Sequence, residues 1–196
     1  MKILVACECS GRVREAFRKL GHDAISCDLI ESEIDGPHLI QDVCELLEER
    51  WDMMIAFPPC TYLCSSGLHW NKKRPERGQL THDAMLFIFS LADANISKIA
   101  IENPIGCISS NWRKPDQIIQ PWQFGENASK STCLWLKNLP KLEPTEIVLP
   151  NANGRYDNQT PSGQNKLGPG PDRAKERSRT YQGIADAMAM QWGGYV

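Results

Sequence analysis

Short apolar runs alternating with helical periodicity constrain the fold of this chain more than any other feature. Residues 2–7, 23–29, 53–57 and 99–101 are apolar runs of strand length, and each is followed by turn residues or an acid. Apolar residues recur at helical spacing between the first two runs and again over about 81–94. Strands alternating with helices in this way predict an α/β fold with a doubly wound, mostly parallel sheet. Ligands bind such sheets beyond the carboxyl ends of the strands.

The remaining elements are predicted from weaker signals. We expect a third short strand or bend at His38–Val43, a helix over 44–50, strands at 132–136 and 145–149, and a closing amphipathic helix over 183–192. Loops are expected at 111–115 and 120–125. Residues 151–181 hold six Lys/Arg against three Asp/Glu and are rich in Gly and Pro, which predicts a basic loop.

Length and composition exclude several classes of protein. A chain of 196 residues is expected to form one domain, spanning 1–196. A formal net charge of -2 argues against polyanion binding by the whole surface, so any nucleic-acid contact needs a local basic patch. Eight cysteines without a secretory leader predict a reduced, cytoplasmic protein. No apolar stretch reaches the roughly 20 residues of a membrane span, so no membrane association is expected.

The cysteines do not predict a metal site. Cys7, Cys9, Cys60, Cys64 and His69 are the nearest approach to a ligand set, but they contain no CxxC pair. Alternate residues on one strand also point to opposite faces of a sheet.

Two strand ends carry the side chains with the most evident chemistry. The run Met53-Met-Ile-Ala-Phe-Pro-Pro-Cys60 places a thiol just beyond a strand, and Ile99-Ala-Ile-Glu-Asn-Pro104 places an acid at the end of the next one. The carboxyl ends of parallel strands meet at one edge of the sheet. We therefore expect Cys60 and Glu102 to share a crevice with Ser10 and Asp28.

These residues resemble the cytosine-5 DNA methyltransferases, in a reduced form that lacks the target-recognition domain. The family has a Pro-Cys pair with a glycine seven residues later, which Pro59, Cys60 and Gly67 match. Glu102-Asn-Pro104 resembles the family's Glu-Asn-Val, with proline as the last residue. The resemblance runs from residue 2 to about 106, includes Arg77-Gly-Gln-Leu80, and is weaker at Gly183-Ile-Ala185.

The resemblance implies methyl transfer from S-adenosylmethionine to carbon 5 of cytosine. Cys60 is implied as the nucleophile that adds to carbon 6 of the ring. Glu102 is implied as the acid that stabilises the ring at nitrogen 3, which requires a raised pKa. Asn103 is expected to hold the loop of the glutamate in shape.

The resemblance also implies a cofactor site across the ends of the first strands. Its expected residues are Ala6, Glu8, Ser10 and Gly11 in the first turn, Asp28 for the ribose hydroxyls, Asp42 near the adenine, and Pro58. The first turn departs from the family, which has Gly-x-Gly-Gly where this chain has Glu8-Cys9-Ser10-Gly11. Only the last glycine is kept.

Target recognition departs further from the family. Only about 35 residues separate Leu149 from Gly183, too few for a second folded domain. The family's Gln-x-Arg-x-Arg motif is not recognisable, and Lys130, Arg173, Arg177 and Arg179 are candidates for its arginine. Sequence selection is then slight, supplied by a protein partner, or unnecessary because the substrate is not duplex DNA.

A polymer substrate would have to present its cytosine outside the helix stack. The segment Ser65–Arg77, with four basic residues and Trp70, is expected to be a mobile loop that contacts such a substrate. The residues expected to contact substrate are Pro59, Ser66, Trp70, Lys72, Arg74, Arg177 and Arg179.

Three functions stay open at this point. The first is cytosine-5 methylation of DNA through a covalent Cys60 adduct. The second is the same chemistry on RNA or on a free cytidine nucleotide. The third is a catalytically silent regulator that binds nucleic acid or S-adenosylmethionine.

Overall fold

The protein, seen in a computed structural model that describes residues 1–168, 170 and 173–194, is built around a seven-stranded sheet. The strands are β1 (Lys2–Ala6), β2 (Asp23–Asp28), β3 (His38–Ile40), β4 (Met53–Ala56), β5 (Lys98–Pro104), β6 (Gln117–Ile119) and β7 (Thr132–Lys137). Their order in the sheet is β3-β2-β1-β4-β5-β7-β6. Strand β7 runs antiparallel to both of its neighbours, and the other pairs are parallel. The predicted fold class is confirmed.

Helices cover both faces of the sheet. They are α1 (Arg12–Lys19), α2 (Ser65–Leu68), α3 (Pro75–Asp93), α4 (Ile108–Asn111), α5 (Arg173–Ser178) and α6 (Gln182–Gly193), with short 3-10 helices at Val43–Leu46, His69–Lys72 and Pro121–Gln123. In the described part of the chain, no helix has both the length and the apolar character that a bilayer crossing needs.

The central strands are buried on both faces, and alternate residues supply two cores. On one face Leu4, Met54 and Ile101 pack with Ile88 and Leu91 of α3. On the other face Ile3, Val5 and Ile55 pack with Phe17 of α1 and Met188 of α6. This double burial explains why the strands are continuous apolar runs rather than alternating ones.

Several element predictions need correction. The predicted strand at 145–149 is wrong, since that segment makes only an isolated bridge between Glu146 and Phe124. Strand β6 lies in a stretch for which the sequence predicts no element. The expected helix over 44–50 is a 3-10 turn at Val43–Leu46. Helix α3 begins six residues before the predicted start at 81.

The two predicted loops near the site are also more regular than expected. Residues 65–77, predicted as a mobile loop, form α2, the 3-10 helix His69–Lys72 and the first turn of α3, so the segment is helical rather than a loop. The basic segment 151–181 contains α5, and its described part is otherwise turns and bends.

Candidate functional site

Strands β4 and β5 are neighbours in the sheet and bring Cys60 and Glu102 to its carboxyl edge. The two strands run parallel, with Ala56 opposite Ile101. The segment beyond β4 is tied to β5 directly, because Asn103 Nδ2 donates a 2.8 Å hydrogen bond to the carbonyl of Pro58. Asn103 is buried, so this bond is shielded from competing water.

The loops that follow β4 and β5 are bonded to each other further along. The amide of Cys107 donates to the carbonyl of Leu63 at 2.8 Å, and the amide of Ser65 donates to the carbonyl of Ile105 at 3.1 Å. The carbonyl of Cys60 accepts from the amides of Leu63 and Cys64, both at 3.0 Å. Cys60 therefore begins a tight helical turn whose position is fixed relative to Glu102.

Charges around the Cys60 thiol act in opposite directions. The residue is exposed, yet partial burial of the thiol is the largest cause that raises its pKa, followed by Cys64 and Glu102. Lys130 and Arg177 lower the same pKa. The thiol is therefore mostly protonated near neutral pH, and these two cations limit how far its pKa rises.

Glu102 lines a small cavity at the sheet edge together with Phe57, Lys130, Thr132 and Tyr181. Burial is the largest cause that raises the pKa of Glu102, while Lys130 and a hydrogen bond with Thr132 lower it. The cavity holds ≈ 10 Å³, about the room for one water molecule. A pyrimidine ring enters only if the surrounding side chains move.

Lys130 is the cation that the structure brings to both groups. It precedes β7, the reversed strand, and its amide donates to Gln120 Oε1 at 2.9 Å. Its Nζ donates to the carbonyl of Arg177 at 3.0 Å. The sequence offers Lys130 only as one of four cations without a spacing argument, and its position depends on the β6–β7 connection.

The predicted cofactor residues of the first turn lie at the same edge of the sheet. Ala6 ends β1, and Cys7 follows in the left-handed region with φ 57°, a conformation that glycine adopts at no steric cost. Glu8 is buried, with 5% of its surface exposed. Its Oε1 accepts from Ser10 Oγ at 2.6 Å and from the amide of Val13 at 3.3 Å.

The second carboxylate oxygen of Glu8 is the unusual atom of this turn. Oε2 is buried and has no hydrogen-bond partner among the described residues. Burial is also the largest cause that raises the pKa of Glu8, against the lowering effect of Ser10 and Arg14. An unpartnered buried acceptor is costly, so Oε2 lacks a donor that none of the described residues supplies.

Gly11, Asp28 and Asp42 complete the predicted cofactor edge. Gly11 has a φ of 71°, in the left-handed region. A Cβ on this residue would lie 2.5 Å from the Ile34 side chain, so the loop after β2 packs directly against the first turn. Asp28 Oδ1 accepts from the amide of Leu29 at 2.7 Å, and Asp42 Oδ1 accepts from the amide of Cys44 at 2.9 Å. Both acids raise the pKa of the Cys7 thiol, after burial, which is the largest cause.

The predicted substrate residues divide into two groups. Pro59, Ser66, Trp70, Lys72 and Arg74 are all exposed on the segment that follows β4. Arg177 lies in the last turn of α5, and Arg179 follows that helix directly.

Arg179 already has a partner. Its Nε donates to Glu33 Oε2 at 2.7 Å, and its Nη2 donates to Glu33 Oε1 at 3.0 Å. A substrate contact by Arg179 would therefore use the N–H groups that this pair leaves free, those on Nη1 among them. In the described ranges, no cluster of His, Cys, Asp and Glu suits a metal ion.

Comparison with known proteins gives a likeness of fold only. A scan against protein-family models found no match, and a search of curated proteins also found none. A solved structure of a candidate DNA modification methyltransferase, encoded within an E. coli prophage, is similar at 14% identity and a TM-score of 0.47. The match covers 74% of this chain and 51% of that one, so the chain spans about half the length of that structure. A likeness at this level carries no functional argument.

Proposed function

We propose that this protein is a methyltransferase that transfers a methyl group from S-adenosylmethionine to carbon 5 of cytosine in DNA. The observation that carries the proposal is the hydrogen bond between Asn103 and Pro58, which ties the Cys60 turn to the strand of Glu102. A thiol and a half-buried acid with a raised pKa, held at the ends of neighbouring strands, are the two groups that this chemistry needs.

The residues act on the ring as follows. The Cys60 thiolate adds to carbon 6, and the electron pair of the double bond between carbons 5 and 6 moves into the ring. Glu102, whose pKa is raised mainly by burial, shares a proton with nitrogen 3 as electron density reaches that atom. Carbon 5 becomes nucleophilic and would take the methyl group as the bond from that group to the donor's sulfur breaks, which leaves the donor as a neutral thioether. A general base then removes the proton from carbon 5, the electrons of that bond restore the double bond between carbons 5 and 6, and the thiolate leaves.

S-adenosylmethionine, when bound, supplies the electrophilic methyl group. The unpartnered Oε2 of Glu8 would accept from the amino group of its methionine part, and Asp28 would accept from its ribose hydroxyls. Asp42 would lie on the adenine side of the same edge, and Ala6, Ser10, Gly11 and Pro58 would form the wall.

Two observations favour the catalytically silent alternative. The raised pKa of Cys60 leaves little thiolate at neutral pH, and the cavity beside Glu102 is too small for a base as it stands. Binding of substrate would have to open the cavity. A covalent trap for the Cys60 thiolate therefore also tests whether the site is active.

Covalent trapping tests the proposal. A DNA oligonucleotide with one 5-fluorocytosine is mixed with protein and S-adenosylmethionine, and intact mass is read. Fluorine on carbon 5 cannot leave as a proton does, so the thiol stays bonded to carbon 6. We expect an adduct with the mass of protein, oligonucleotide and one methyl group.

Variants identify the atoms involved. Cys60→Ala should give no adduct, and Glu102→Gln should slow trapping by roughly 100-fold or more. Cys44→Ser is the matched control, because Cys44 is also exposed but lies in the 3-10 helix Val43–Leu46, and it should trap normally. An adduct that still forms with Cys60→Ala would overturn the mechanism.

The choice of substrate is tested with the same label. Trapping of an RNA oligonucleotide or a fluorinated nucleotide in place of DNA would overturn the assignment of DNA as the substrate. No adduct with any of the three would support the catalytically silent regulator.

A further inference from the structure

Trp70 is a large aromatic side chain that the fold leaves open to solvent close to the candidate nucleophile. It is 41% exposed and lies in the 3-10 helix His69–Lys72. Cations surround its ring: Lys73 Nζ is 5.2 Å and Arg74 Cζ is 5.3 Å from the ring centroid. The His69 ring lies 4.9 Å away and tilted by 40°.

The cations beside Trp70 have no acidic partner among the residues that the structure describes. Every ion pair within 4.0 Å in those residues uses other cations, and Lys72, Lys73 and Arg74 form none. All three are exposed. Their charge is therefore available to phosphate groups, although the chain as a whole carries a net charge of -2.

The segment that carries Trp70 is anchored to the Cys60 turn. Arg77 Nη2 donates to the carbonyl of Thr61 at 2.7 Å, and Thr81 Oγ1 donates to the carbonyl of Tyr62 at 3.1 Å. The helical backbone from Cys64 to Trp70 rises by about 9 Å. Trp70 thus lies within a few nucleotides of a base held at Cys60, since stacked nucleotides are spaced about 3.4 Å apart.

Two kinds of contact compete for the exposed face of the Trp70 ring, and their free energies decide between them. An exposed cation–aromatic contact is worth roughly 0.5–1 kcal/mol, whereas stacking of a nucleobase on an aromatic side chain is worth roughly 1–3 kcal/mol. A base therefore displaces the cation, which gains a phosphate instead. In a duplex the indole would have to enter between base pairs, at a cost of a few kcal/mol per step. An unpaired base avoids most of that cost.

We propose that Trp70, Lys72, Lys73 and Arg74 form a subsite for an unpaired nucleotide that flanks the target cytosine, so that the protein acts on a single DNA strand. The identity of the target base, cytosine, rests on the proposed function. Stacking at Trp70 is tested separately, because binding affinity is measured without methyl transfer or covalent trapping.

Fluorescence anisotropy tests the subsite. A fluorescein-labelled 14-nucleotide DNA with one cytosine is titrated with the full chain, as a single strand, as a duplex, and as the RNA of the same sequence. Trp70→Ala should weaken binding of the single DNA strand by roughly 5- to 150-fold, which is the energy of one base stack expressed as a ratio of affinities. Trp70→Phe keeps an aromatic face and should stay within a few-fold of the native chain. Duplex binding should hardly change.

A triple change of Lys72, Lys73 and Arg74 to Ala should reduce the salt slope of single-strand binding by about 2, at roughly 0.7 per lost phosphate contact. Lys141→Ala, at an exposed lysine on another part of the surface, is the control and should leave both quantities unchanged. Equal binding by Trp70→Ala and the native chain, or an equal loss for strand and duplex, would sink the proposal.

The two proposals fail separately. If trapping at Cys60 is never seen but single-strand binding depends on Trp70, the proposed chemistry falls and the subsite stands. If trapping occurs at the native rate in Trp70→Ala with a single strand, only the subsite falls. A preference for RNA that depends on Trp70 would support the subsite and count against DNA as the substrate.

Discussion

The reactivity of the Cys60 side chain depends on a balance between burial and two cations. Burial, Cys64 and Glu102 raise the pKa of the thiol, and Lys130 and Arg177 lower it. Only the thiolate reacts, so the rate of any reaction at Cys60 should rise with pH up to the pKa of the thiol. Removing a cation destabilises the thiolate and moves that rise to higher pH.

Alkylation of Cys60 by iodoacetamide, followed by peptide mass spectrometry from about pH 6 to about pH 10.5, measures this balance. The inflection should lie above that of an ordinary thiol. Lys130→Ala should move it to higher pH and slow alkylation near neutral pH by roughly five-fold, as expected for about 1 kcal/mol of charge interaction at a partly solvated site. Lys130→Arg should restore most of the rate. A profile that is identical in Lys130→Ala and the control Lys141→Ala would contradict the role given to Lys130.

Residues of the site differ in how far sequence predicts them. Cys60, Glu102 and Asn103 lie at the ends of successive strands, so a local pattern predicts them and the parallel topology brings them to one edge. Lys130 and Thr132 reach the same edge through an antiparallel strand, and the sequence gives no local signal of strand direction. Arg179 is predicted to contact substrate, but the sequence does not show that Glu33, 146 positions away, already binds it.

Among the secondary-structure elements, the connection between the loops after β4 and β5 requires a glycine. A Cβ on Gly106 would lie 2.0 Å from the carbonyl oxygen of Leu63, in the turn that Cys60 begins. Backbone oxygen cannot move aside as a flexible side chain does, so the two loops would have to separate. Gly78, in α3, offers a contrast, because a Cβ added there would have nothing within 4 Å.

Urea denaturation should separate these two glycines. Gly106→Ala should lower the free energy of unfolding by roughly 1–3 kcal/mol, as for other overpacked sites, and should slow trapping by 5-fluorocytosine because the Cys60 turn shifts. Gly78→Ala should raise the free energy of unfolding by about 0.4–1 kcal/mol, since the helix loses a flexible residue. Equal stability of the two variants would argue against the close approach of the loops.

Sequence predicts the elements with strong apolar periodicity well and the short edge elements poorly. Strand β6 has three residues, too few to show a period in the sequence, so its pairing with β7 decides its conformation. The segment 145–149 has strand-forming residues, but β6 already occupies that edge of the sheet. The predicted start of α3 is too late because Pro75 stands at its first turn, where proline is favoured, rather than ending it.

Across the protein as a whole, the segment from α5 to α6 connects the two halves of the site. Arg179 and Lys175 bind Glu33 beside the first turn, and Arg12 Nη1 donates to the carbonyl of Thr180 at 2.9 Å. The carbonyl of Arg177 accepts from Lys130 beside Glu102. Occupation of the cofactor edge is therefore expected to order the substrate side as well.

Thermal unfolding with and without S-adenosylmethionine tests whether this ligand binds the cofactor edge, which the coupling requires. A ligand that binds only the folded chain stabilises it by about 2.7 kcal/mol at roughly 100 times its Kd, so the Tm should rise with ligand concentration. Glu8→Gln should weaken this rise, because Oε2 loses its negative charge. Glu45→Gln, at an exposed acid on the 3-10 helix Val43–Leu46, should keep it. A Tm that does not respond to S-adenosylmethionine would remove the cofactor assignment.

The reversed direction of β7 affects how such a site diversifies. Because β6 ends and β7 begins at the carboxyl edge, residues 120–131 connect the two strands there and bring Lys130 to the wall of the cavity. Hydrogen bonds from Gln120 to Ser131 and Lys130 hold the two ends of this connection together. Phe124 and Ala128 of this connection are buried, whereas Gly125 and Asn127 are exposed. Insertions beside the two exposed residues would therefore change the rim of the cavity at the smallest cost in folding free energy, which gives natural variation and laboratory evolution a place to alter selectivity.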